Sequence, residues 1–75
     1  MKISYDPEVD ALSIIFRETQ CLTEHPAEGI AFDIDADGKL AGIEILDASL
    51  RVGGLATLSH VDYVDYGVEQ AAVAA

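Results

Sequence analysis

A chain of 75 residues with 14 Asp and Glu against 4 Lys and Arg carries a formal charge of −10. A chain this short supports one core and one domain, and the acidic balance repels phosphate backbones, which excludes nucleic acid as the expected partner. One cysteine, Cys21, excludes an intrachain disulfide framework, and no apolar run reaches the roughly 18 residues that cross a bilayer, so a cytoplasmic protein without a membrane association is expected.

Strand signals dominate the first two thirds, where apolar residues recur at every second position. In ISY and ALSIIF, Ile3, Tyr5, Leu12, Ile14 and Phe16 share a face, and DPEVD between them reads as a turn. Pro7 fixes the turn's φ, and Asp6 before it can bond the turn backbone. Tyr5 then stands opposite Leu12 and Ile3 opposite Ile14, which keeps both apolar sets on one side.

RETQ reads as a connection, and CLTEHP as a short strand that Pro26 restricts to an edge or an end. GIAFDID and LAGIEIL flank ADGK, and Asp-Gly between alternating runs is a strong hairpin signal. A two-residue Asp37-Gly38 turn places Ile34 opposite Ala41, Phe32 opposite Ile43 and Ile30 opposite Ile45. After IEIL the period changes. Asp47 is positioned to cap a helix beginning at Ala48, Leu55, Leu58 and Val61 recur at helical spacing, and Gly53-Gly54 should break the element. Val61–Tyr66 favours strand by composition, and the remainder to residue 75 is an uncertain strand or tail.

These elements predict an α+β domain: a β-meander over residues 1–47, forming an antiparallel sheet of four to five strands built from two hairpins, and a short broken helix over 48–60. Its apolar face is larger than a broken helix covers, so a homodimer burying spare surface or an open edge is expected. The opposite face is small and mixed, with Ser4, Ala11, Ser13, Ala31 and Gly42, and Ile15 stands out of pattern there.

DIDADGKLAGIE, Asp33 to Glu44, fits the calcium-loop spelling D-x-D-x-D-G-x5-E at its fixed positions. A calcium loop needs helices on both flanks, and period-two IAF and IEIL do not supply them. Asp33, Asp35, Asp37 and Glu44 therefore remain as candidates for a weak surface cation site. Asp6, Glu8 and Asp10 form an acidic knuckle, which together with Ile15 is the candidate surface for a basic protein partner. SHVD, Ser59 to Asp62, has the residue types of a catalytic triad, but sequence neighbours diverge in space. Cys21, Glu24, His25 and His60 lack the paired spacing of a structural zinc site. No catalytic residue and no cofactor is expected.

MKISYDPEVDALSIIF and GIAFDIDADGKLAGIEILDAS are similar to the two signature halves of the domain-of-unknown-function 2283 family, over roughly residues 1–52. The likeness rests on YDPEVDAL, the acidic DIDADGK hairpin and GIEILDAS. Ser13 and Ile15 depart from it, at places where the family more usually carries a larger aromatic and a polar or basic residue. The resemblance implies a small cytoplasmic bacterial α+β protein with no assigned activity, and a kinship with the small acidic halves of two-gene, toxin–antitoxin-like modules. It suggests a partner-binding role and does not imply an enzyme.

Overall fold

The computed structural model describes residues 1–67. Five strands, β1 (Lys2–Asp6), β2 (Ala11–Ile15), β3 (Cys21–Ala27), β4 (Ile30–Asp35) and β5 (Leu40–Ile45), are followed by two single-turn helices, α1 (Ala48–Arg51) and α2 (Leu55–Leu58). The strands form one antiparallel sheet in the order β1-β2-β5-β4-β3. The expected α+β class stands, but the sheet is not a meander. The chain leaves β2, passes the ends of β5 and β4, and returns up the far edge, so the third strand in sequence is the fifth in space.

Phe16 to Gln20 make that crossing. The Phe16 and Arg17 backbone N–H groups donate to the Ala41 carbonyl at 2.8 and 3.4 Å, and the Arg17 guanidinium pairs with the Asp35 carboxylate on β4. The crossing is thus tied to both strands it passes beneath.

The first hairpin has the expected register, Tyr5 opposite Leu12 and Ile3 opposite Ile14. In the second, Ile30 meets Ile45 and Phe32 meets Ile43 as expected, but Ile34 meets Leu40 instead of Ala41. The turn explains the difference. Asp35 N–H donates to the Lys39 carbonyl and Gly38 N–H to the Asp35 carbonyl, which makes a loop of three residues, Ala36 to Gly38, with Gly38 in the left-handed region at φ 78°. A longer loop would by itself flip every side chain of β5 to the other face. A bulge between Asp33 and Ile34 on one side and Gly42 and Leu40 on the other leaves Ala41 unpaired and cancels the flip.

The C-terminal segment is a helix broken at Gly53-Gly54, whose φ values of 89° and 118° suit glycine. The strand expected over Val61–Tyr66 does not form: residues 61–67 have neither helix nor strand. β-branched composition favours a strand only where it pairs with a sheet edge, and this segment pairs with none. The tail from residue 68 onward, expected as strand or fray, lies outside the described residues.

Asp47 does not cap α1. It sits at φ 52° and makes no side-chain cap bond. The cap comes from Asp10, whose carboxylate accepts the Ser49 N–H at 3.0 Å and the Ser49 hydroxyl at 2.7 Å, while its carbonyl accepts the Ala48 N–H. At the other end of α1, Arg51 donates Nε to the Leu46 carbonyl at 2.8 Å and Nη2 to the Glu28 carbonyl at 2.7 Å. One helical turn therefore clasps both hairpins at the same end of the sheet.

Candidate interaction surface

The sheet register assigns the faces. Ile3, Tyr5, Leu12, Ile14, Ile43, Ile45, Ile30, Phe32, Ile34 and Leu22 point to one side. α2 and Val61 lean over only the β1–β2 part of it, above a groove of about 450 Å³. The consequence is a sheet with little core: among the described residues Ala41 and Ala48 are the buried apolar side chains, and no large one is fully buried. Leu22 is 80% exposed and Ile3 42%. One layer of sheet with a partial second layer leaves apolar area in water, where about 25 cal/mol is forgone for each Å² left uncovered.

Charge is sorted the other way. Among the strand residues, Glu24 alone puts a carboxylate on the apolar face. Asp6, Asp33, Asp35 and Glu44 lie on the opposite face, and Glu8, Glu28 and Asp37 on turns. Ile15 sits on this acidic side between Lys2 and Gly42, half-buried.

Four of the candidate carboxylates are already engaged. Asp10 accepts the Tyr5 hydroxyl at 2.6 Å as well as the two bonds from Ser49. The Tyr5 bond, then those from Ser49, hold its pKa below the ordinary carboxyl value, and the same bond raises that of the Tyr5 phenol. Asp35 accepts from Arg17 and from the backbone N–H groups of Lys39 and Asp37, and these partners, Arg17 foremost, lower its pKa as well. Asp33 accepts the Thr23 hydroxyl at 3.0 Å, and Asp6 the Glu8 N–H at 3.0 Å. Of the candidate acids, Glu8, Asp37 and Glu44 have carboxylates that take no hydrogen bond from described residues, so they are the candidates open to an external partner.

The candidate cation ligands Asp33, Asp35, Asp37 and Glu44 are not brought together. Asp35 turns its oxygens into the loop and toward Arg17, and the segment is a β-hairpin from end to end. Among the described residues no three His, Cys, Asp or Glu side chains cluster as a metal site would. His60 and Asp62 pair at 3.1 Å, both 76% exposed, but the Ser59 hydroxyl donates to the Ala56 carbonyl and not to the imidazole. A nucleophile needs its base within hydrogen-bond reach, and here that link is absent. Cys21 is exposed on β3, its thiol on the Thr19 carbonyl.

Asp10 has a structural role that sequence reasoning missed. Grouped by sequence with Asp6 and Glu8 in the acidic knuckle, it links YDPEVDAL to LDAS across 39 positions. Its backbone carries a sign of this role, a φ of 53°, since an aspartate in the left-handed region ends the turn and aims its carboxylate back over the hairpin.

A family model described as a protein of unknown function (DUF2283) matches residues 2–49. No curated protein and no solved structure matches the chain. The matched span closes on Ser49, the residue that Asp10 holds. No helix among the described residues is long and apolar enough to cross a membrane.

Proposed function

We propose a function from the surfaces, because the chain belongs to the domain-of-unknown-function 2283 family and that family's description assigns no activity. The chain is a non-enzymatic protein-interaction module of the bacterial cytoplasm that engages a basic protein, as the neutralising member of a two-gene pair. The observation that supports this reading is the segregation of charge: an open apolar face on one side, and free carboxylates at Glu8, Asp37 and Glu44 around the other side and the turns. A field of net charge −10 steers a basic partner into encounter, and apolar burial then holds it.

The first test is recovery of the tagged full chain from its native cells at low salt, with identification of the protein eluted when salt is raised. The second fixes the mechanism with that purified partner. Steered association slows as salt screens the charges, and Glu8→Gln with Glu44→Gln should slow it further at low salt while leaving the high-salt rate alone. An association rate indifferent to salt refutes the steering.

A further inference from the structure

The two outer edges of the sheet are built differently. β3 is blunted: Pro26 has no N–H to offer, and the ladder to β4 shifts between Glu24 and Ala27. β1 has no such protection. KISYD pairs with β2 in unbroken register from Lys2↔Ile15 to Asp6↔Ala11, contains no proline, and has no neighbour on its outer side among the described residues. A regular strand with a free row of backbone groups is a template for another strand.

We propose that β1 pairs antiparallel with β1 of a second copy about a two-fold axis through Ser4, joining two five-stranded sheets into one. KISYD is complementary to itself in that register. With Ser4 opposite Ser4 of the second copy, Ile3 faces Tyr5, and Lys2 faces Asp6, twice over by symmetry. Shifting the axis to Ile3 puts Lys2 opposite Ser4; shifting it to Tyr5 puts Ile3 opposite Pro7, in the turn. Only the Ser4 axis pairs both charge with charge and apolar with apolar along the strand.

Charge selects this edge as well. Two copies of a chain at −10 repel, so contact is favoured where a cation is available. Of the four basic residues, Arg17 is paired with Asp35 and Arg51 is bonded to two carbonyls. Lys2 and Lys39 make no ion pair with a described residue; Lys39 stands at the β4–β5 turn, so Lys2 is the free cation on an outer strand.

The apolar faces of the two copies fall on the same side, because antiparallel pairing about an axis normal to the sheet preserves the face. The grooves beside β1, each lined by Ile3, Tyr5, Leu12, Ile14, Leu58 and Val61 among others, then adjoin across the axis. Ile3, exposed in the single chain, gains the Tyr5 ring of the second copy as a cross-strand neighbour. This pairing is independent of the identity of any basic partner.

Sedimentation equilibrium on the full chain reads the mass at micromolar concentration, and a dimer is expected. Lys2→Glu places carboxylates opposite each other at both ends of the pairing and should weaken the dimer about tenfold. Asp6→Lys, which opposes cations, should weaken it similarly. Mixing the two variants restores both charge pairs, so the mixture should dimerise more tightly than either variant alone. Because Asp6 also bonds the Glu8 N–H, a second measurement avoids that turn: Ser4→Cys in a Cys21→Ser background should form a disulfide-linked dimer on mild oxidation, and Ser13→Cys in that background should not. A monomer mass throughout the micromolar range overturns the proposal. So does a dimer that Lys2→Glu leaves intact and Ser4→Cys fails to cross-link, since its contact lies elsewhere.

Discussion

Gly29→Ala tests whether the turn of helix at Ala48–Arg51 clasps the sheet. Gly29 has φ 76°, and a Cβ built there stands 2.5 Å from Arg51 Nη2 and 3.2 Å from its Cζ. The left-handed backbone costs an alanine about 1 kcal/mol. The methyl also displaces the guanidinium and with it the bonds to the Glu28 and Leu46 carbonyls, worth about 1 kcal/mol for groups this exposed. The sum, about 2 kcal/mol, lowers the melting temperature by about 8–16 °C in a domain of this size. Thermal unfolding followed by circular dichroism reads it, at one fixed protein concentration so that association does not shift the midpoint. The decisive comparison is a double-mutant cycle. In an Arg51→Met background no guanidinium remains to be displaced, so Gly29→Ala should cost only the backbone term, leaving a coupling of about 1 kcal/mol. An equal cost in both backgrounds refutes the clasp.

Three further outcomes follow from the polar contacts. Asp10 and Asp35 have folded pKa values below the unfolded one, so their stabilisation is full above about pH 4 and is lost as pH falls through the lowered values; Asp10→Asn with Asp35→Asn should flatten the acid limb of a pH–stability curve. Tyr5 is the opposite case, with a folded pKa above the unfolded one: its contribution is full below about pH 10 and is lost as pH rises through the raised value, and ultraviolet titration should show one of the three tyrosines ionising late, an event that Tyr5→Phe removes. Calorimetric titration with calcium should give no saturating heat at micromolar concentration, because Asp35 is committed to Arg17 and its own turn; micromolar binding would return the calcium-loop reading.

Local chemistry was legible and long-range pairing was not. Alternation in ISY, ALSIIF and IAF and the turn at DPEVD specify the first hairpin to the residue, because face and loop length are both local. The second hairpin was legible at Phe32 and Ile43 and misread at Ala41, since a three-residue loop plus a bulge yields the same faces as a two-residue loop without one. The neighbour of β2 was beyond the pattern: nothing in RETQ distinguishes a chain that pairs at once from one that passes beneath two strands to the far edge. The cap on α1 was sought at Asp47, the adjacent acid, while the fold supplies Asp10 from 39 positions away.

That last misreading bears on where function resides. YDPEVDAL and LDAS look like site motifs because they concentrate acids, a phenol and a hydroxyl. In the fold their polar atoms turn toward one another: Tyr5 to Asp10, Asp10 to Ser49. Their hydrogen bonds are spent in fastening the first hairpin to the helix, which a sheet with two buried alanines needs more than a large domain would. The matched span, residues 2–49, contains this fastening and stops short of Arg51. Family membership therefore accounts for the scaffold and says little about the surfaces it presents. Those surfaces, the open apolar face, the unblunted edge at β1 and the free carboxylates at Glu8, Asp37 and Glu44, are where substitutions should alter association without unfolding the chain. Asp10→Asn should do the reverse, loosening the fold while leaving the net charge nearly unchanged.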